Sequence, residues 1–199
     1  MKNKFYQLSS IKAVTHLAIL ILTLFPFYTS AQTLNETLGS GAGRNITSGD
    51  YNVALGDSAG YTLTSGSNNT FIGEQAGFNS TTSSDNVFIG QDAGRTNTNG
   101  TDNTFIGTEA GLNSIGTDNT FIGTEAGEYN TTGYDNTFIG EEAGFNNTTG
   151  RDNTFIGEDA GFNNGDGDEN TFIGSNAGRG SSLGNNNLRR QNTALGNDA

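Results

Sequence analysis

The side chains in this sequence that could do chemistry are nearly all carboxylates, and they recur at fixed spacing. Glu109, Glu125, Glu142 and Asp159 occupy the seventh position of a short repeating unit. Asp85, Asp102, Asp118, Asp135, Asp152 and Glu169 occupy its last position. Stacked carboxylates repel one another at low salt, so such rows call for cations, and diffuse binding of divalent ions is one chemistry they could support. The densest cluster is Asp166-Gly167-Asp168-Glu169-Asn170. Alternating acids can wrap Ca²⁺, as in part of an EF-hand loop. Thr171 stands where that loop needs glycine, and no glutamate closes it at the required spacing. The cluster therefore reads as a solvated turn. Adjacent pairs such as Glu141-Glu142 would serve glycoside hydrolysis only by converging on one bond, which sequence neighbours in a turn rarely do.

Other reactive groups are scarce. Residues 32–199 contain no Cys, His or Lys, which removes the common bases and nucleophiles. A non-enzymatic role is expected, and no catalytic residue, cofactor site or specific metal site is assigned. Six Arg face 21 Asp and Glu in this stretch, a net charge of −15. That charge repels phosphate backbones and argues against nucleic-acid binding. A row of hydroxyls (Thr70, Thr104, Thr120, Thr137, Thr154, Thr171 and Thr193) could order water and bind ice, but threonine is also simply a good strand residue. Sequons such as Asn130-Thr131-Thr132 arise by chance in an Asn- and Thr-rich repeat.

The element that positions all of these is the motif N-T-F-I-G-x-x-A-G. It starts at Asn35, Asn52, Asn69, Asn86, Asn103, Asn119, Asn136, Asn153, Asn170 and Asn192. Spacing is 17 residues, except for a 16-residue unit beginning at Asn103 and a 22-residue unit beginning at Asn170, whose insertion lies around Arg179 to Gln191. The third position is Phe in seven consecutive units, Phe71 to Phe172, and the fourth is always aliphatic. The fifth is Gly, the eighth Ala and the ninth Gly.

Such a unit is too short for a helix pair and lacks a 3.6-residue apolar pattern. Branched and aromatic residues between glycines predict short strands and tight turns. The fold expected is all-β: a parallel β-solenoid (β-roll) of about nine to ten coils, 17 residues each. One strand runs through Asn-Thr-Phe-Ile, a turn through Gly-x-x-Ala-Gly, and a second strand through the x-Asn-x-Thr stretch before a closing Gly-x-Asp turn. Coils stacked at about 4.8 Å give a rod on the order of 45 Å long. The eighth-position Ala is expected to point inward at a narrow corner. Phe and Ile are neighbours on the strand and face opposite sides. The uniform Ile/Leu row suits a narrow interior, which leaves the Phe row as an exposed apolar stripe in need of symmetry mates.

Residues 1–31 differ from the rest. Lys2, Lys4 and Lys12 precede the apolar run Leu17 to Phe25, and Thr29-Ser30-Ala31 supplies small residues before Gln32. This is the layout of a secretory signal peptide, with cleavage expected after Ala31. Its apolar run falls short of the roughly 20 residues a spanning helix needs. Nothing later in the sequence is apolar enough to span a membrane. Residues 32–199 form one repeat domain, secreted or held at the cell surface.

Motifs such as Asn136-Thr137-Phe138-Ile139-Gly140-x-x-Ala143-Gly144 resemble the head repeats of YadA-type trimeric autotransporter adhesins. They resemble still more the related repeats of tail-fibre-like proteins that carry a C-terminal intramolecular chaperone domain. The resemblance runs from Asn35 to Ala199. It implies a left-handed, homotrimeric roll displayed outside the cell or on a fibre, with a structural or adhesive role toward a host-surface, matrix or glycan ligand. The alternative is a soluble solenoid that binds Ca²⁺ or ice. The adhesin unit is typically shorter than this one, and both families usually continue into a stalk and an anchor or chaperone domain. This sequence stops inside its last motif, Asn192 to Ala199, as expected of a truncated reading frame.

Overall fold

The computed structural model describes residues 34–180 and 190–199; the leader 1–31 and most of the insertion, 181–189, lie outside the described residues. Each motif forms one three-residue strand: β1 (Glu36–Leu38), β2 (Val53–Leu55), β3 (Thr70–Ile72), β4 (Val87–Ile89), β5 (Thr104–Ile106), β6 (Thr120–Ile122), β7 (Thr137–Ile139), β8 (Thr154–Ile156), β9 (Thr171–Ile173) and β10 (Thr193–Leu195). They make a single parallel sheet in sequence order. Every pairing sets motif residue against motif residue, as in Thr120↔Thr137, Phe121↔Phe138 and Ile122↔Ile139. The repeat domain is a parallel β-solenoid.

The fifth-position glycine ends each strand. Gly123 has φ +143°, a conformation other residues rarely adopt, and a Cβ there would run into the carbonyl of Gly140 on the next coil. Side chains alternate along the strand, so the first and third positions share one side and the second and fourth the other. The expected orientation of the two apolar rows is reversed. Phe71, Phe88, Phe105, Phe121, Phe138 and Phe155 are fully buried inside the coils. Their rings stack face to face, 4.8 Å between Phe105 and Phe121 and 4.7 Å between Phe121 and Phe138. The Ile row lies half-buried on the outside.

The physical reason is the ninth-position glycine. A Cβ on Gly127 would lie 2.6 Å from the ring of Phe121, so the missing side chain is the space the ring fills. The eighth-position alanines close the same wall and are fully buried from Ala59 to Ala177, as expected. The interior is therefore wide enough for phenylalanine because two small residues face it.

The first-position asparagines share the interior with Phe. Asn119 is fully buried. Its Oδ1 accepts from both the backbone N–H and the Nδ2 of Asn136, each at 3.1 Å, and its Nδ2 donates to the Gly133 carbonyl at 2.9 Å. The pattern repeats from coil to coil and satisfies the polar groups that a close-packed interior would otherwise strand.

The second expected strand does not form among the described residues. The stretch after the ninth position does bond to the next coil, with Asn79 N–H donating to the Arg95 carbonyl at 2.9 Å and Thr81 N–H to the Thr98 carbonyl at 3.0 Å. Intervening residues fold back locally instead, Phe78 N–H to Gln75 and Ser80 N–H to Gly77. Those turn bonds take the donors that a strand ladder would use. No helix among the described residues is long and apolar enough to cross a membrane.

Candidate acidic site on the first turn

The seventh-position residues lie on the Gly-x-x-Ala-Gly turn, all in the left-handed region: φ is +58° at Glu109, +56° at Glu125, +54° at Glu142 and +58° at Asp159. Such φ values are uncommon for residues with long side chains. Each turn is held by bonds to its neighbour, for example Glu125 N–H to the Thr108 carbonyl at 2.8 Å and Glu142 N–H to the Thr124 carbonyl at 2.9 Å. The carboxylates are thereby stacked at the coil repeat. At that spacing a pair of charges repels by about 1 kcal/mol in water and about 3–4 kcal/mol at an effective dielectric near 20.

Two residues join this row that the sequence reading does not single out. Asp92 extends it by one coil, with φ +55°. Glu128, at the tenth position, is folded over the turn by its N–H bond to the Glu125 carbonyl at 3.2 Å. Asp92 was legible from register alone. Glu128 is legible only by comparing the tenth position along the chain, where it stands between Leu112 and Phe145.

The compensation along the row is uneven. Arg95 pairs with Asp92 at 3.4 Å and Arg179 pairs with Asp159 at 3.0 Å, so each end carries a tenth-position arginine. The middle has Glu128 in that place. Carboxylate oxygens of Glu109, Glu125 and Glu128 all lie within 4.8 Å of one another. Burial is the main force raising the Glu128 carboxyl above its ordinary value; a hydrogen bond with Tyr129 opposes it, and Glu109, Glu125 and Glu142 add to it. Glu142 is raised by burial first and then by the neighbouring Asp159 and Glu125 carboxylates. The buried Oδ1 of Asp159 accepts no hydrogen bond, and that of Asp92 has only its ion pair with Arg95.

The other candidates separate cleanly. In the Asp166–Asn170 cluster, Asp168 is buried instead of solvated. It pairs with Arg190 at 2.8 Å and Arg151 at 3.7 Å and accepts from the Arg151 backbone N–H at 3.1 Å. Two guanidinium groups supply the charge that Ca²⁺ would bring, so this turn is an ion-pair cluster. The last-position acids Asp85, Asp102, Asp118, Asp135, Asp152 and Glu169 are exposed and sit in left-handed conformations that close the coil. Glu141 is exposed while Glu142 is half-buried, so the adjacent pair does not act as one unit. The Thr row lines the outer strand face beside the Ile row and is half-buried from β3 to β9. Asn130 of the sequon is fully buried.

No family model, curated protein or solved structure matches this chain.

Proposed function

We propose that the repeat domain is a structural segment of an exported surface fibre, assembled as a homotrimer and displaying its turns to an adhesive partner. One observation carries this reading: from β2 to β10 the outer strand face is an uncharged strip of Thr or Val and Ile or Leu on a strongly acidic repeat domain. Repeat domains (residues 32–199) of net charge −15 repel one another over most of their surface, so an uncharged strip is where identical copies can meet. The partner-seeking row is the Ile/Leu row, because phenylalanine is used up inside each coil. The absence of His, Cys and Lys from residues 32–199 favours display over catalysis. Export rests on the leader at 1–31.

Sedimentation of the purified chain tests the assembly. A trimer is expected, with Ile122→Asp dissociating it while each copy keeps its β circular dichroism. A stable monomer at all concentrations overturns the reading. The same flat Thr and Ile rows would have to stay uncovered to bind ice, so a monomer that shows thermal hysteresis would move the assignment there.

A further inference from the structure

We propose that Asn99-Gly100 is a modification site, at which the folded chain converts Asn99 to aspartate and isoaspartate without an enzyme. The reaction is intramolecular. The Gly100 nitrogen attacks Asn99 Cγ, the Cγ–Nδ2 bond breaks, and the amide leaves as ammonia with the proton that Gly100 gives up. Water then opens the cyclic imide at either carbonyl. Opening at Cγ gives aspartate. Opening at the Asn99 backbone carbonyl leaves the main chain running through Cβ and Cγ, which is isoaspartate, lengthened by a methylene. Glycine permits the step because no Cβ stands beside the attacking nitrogen.

The sequence holds two Asn-Gly steps, and the fold treats them differently. Asn164 is 2 % exposed. Its Nδ2 donates to Asn147 Oδ1 and to the Gly167 carbonyl, both at 2.7 Å, and the Gly165 N–H donates to the Asn146 carbonyl at 2.9 Å. The attacking nitrogen and the leaving amide are both held there. Asn99 is exposed, at a corner of the coil that precedes the 16-residue unit. Among the described residues, neither its Nδ2 nor the Gly100 N–H donates a hydrogen bond. The carbonyl under attack is also prepared. Threonines one place earlier in the repeat donate their hydroxyl to the carbonyl of the next coil, as Thr81 does to Thr98 at 2.9 Å and Thr131 to Thr148 at 2.8 Å. Thr98 has the shortened coil as its neighbour and donates to Asn99 Oδ1 instead, at 3.2 Å. Negative charge develops on that oxygen as the nitrogen adds, so a donor aimed at it favours the transition state. The product is tolerated as well. The extra methylene falls at the place where the following coil omits a whole residue, and the new carboxylate stands in solvent.

Peptide mass mapping tests this on the full chain, held at neutral pH and sampled over time. Cleavage after Arg95, Arg151 and Arg179 puts the two steps in separate peptides, 96–151 and 152–179. In the native chain, peptide 96–151 should show NH2 replaced by OH about tenfold faster than peptide 152–179, a difference in barrier set by the fold. Isoaspartyl methyltransferase should label the same peptide. In urea the two peptides should convert at comparable rates, because Asn164 has then lost its partners. Asn99→Thr should end conversion of 96–151 and keep the fold, since Thr132 and Thr149 fill the same place in other coils. Thr98→Val should slow conversion about two- to tenfold, the equivalent of one hydrogen bond. β circular dichroism should hold steady as Asn99 is consumed. Native conversion of 96–151 no faster than that of 152–179 overturns the proposal, as does conversion that persists in Asn99→Thr. Loss of β signal in step with conversion overturns the tolerance of the corner.

Discussion

Replacing Asn119 with alanine tests the polar interior. The Asn119 side chain takes part in four hydrogen bonds: it donates to Asn103 Oδ1 at 3.2 Å and to the Gly133 carbonyl at 2.9 Å, and it accepts twice from Asn136 at 3.1 Å. Three of the groups left behind keep another partner. Asn103 Oδ1 still accepts from the Asn119 backbone at 3.0 Å, Gly133 still accepts from Asn130 at 2.9 Å, and Asn136 Nδ2 still reaches Gly150 at 2.8 Å. The backbone N–H of Asn136 keeps none of its partners, and Asn136 is buried. An orphaned buried donor costs about 1–3 kcal/mol, and each of the other lost bonds about 0.5–1.5 kcal/mol. The total, about 2.5–7.5 kcal/mol, is a large share of the roughly 5–15 kcal/mol that holds an ordinary domain. In a stacked array the loss should be local first. Urea unfolding gives the total, and amide exchange at Asn136 should accelerate ahead of amides several coils away. Thr120→Ala, one residue along but on the outer face, is the control and should cost about 0.5 kcal/mol or less. If the two variants unfold within about 1 kcal/mol of each other, the buried asparagine stack is not what couples the coils.

Two further outcomes follow from the geometry. Phe121→Ala should cost about 3–5 kcal/mol in urea at any protein concentration, because the ring is stacked on both sides by rings of its own chain; a cost that appears only when copies associate would put that ring on the outside after all. Acid should help the metal-free chain: Glu128 and Glu142 have native carboxyl values raised above the ordinary 4.5, so their stabilising protonation is complete below that value and is lost as pH rises through the native values. A melting temperature in EDTA that climbs as pH falls toward 4.5 is the expected result, and one that drops on the way contradicts the sign.

Much of the coil was legible because each constraint repeats. Glycine at the fifth position, alanine at the eighth and the alternation of the strand all follow from residue type and register. The side of the sheet that faces inward was not legible from Phe and Ile alone. It is decided by Asn119, which shares a side with Phe121, and by Gly127, whose missing Cβ makes room for the ring. The second strand misleads for a related reason. Its Asn- and Thr-rich composition permits a strand, yet local turn bonds such as Ser80 N–H to Gly77 take half of its donors. In the acidic row, position in the repeat identifies most of the carboxylates. It does not reveal that Asp168 is held by Arg151 and Arg190, or that Glu128 folds onto Glu125, because both depend on what stacks above and below.

The 16-residue unit shows where this architecture can change. Asn119 still bonds Asn103 at the proper place although 16 residues separate them, and Gly116 still lies beneath Gly133. The residue left out corresponds to Asn99, Thr132 and Thr149, all exposed, at the corner just before the closing glycine. Across the 22-residue unit, β10 still pairs with β9 in register. In the 16-residue unit, length thus changes at an outward corner while the ladders pass through undisturbed. That corner is a ready graft point: a peptide epitope inserted after Thr131 or Thr148 would be carried at a defined height along the rod, and several such inserts would be spaced in whole multiples of the coil step.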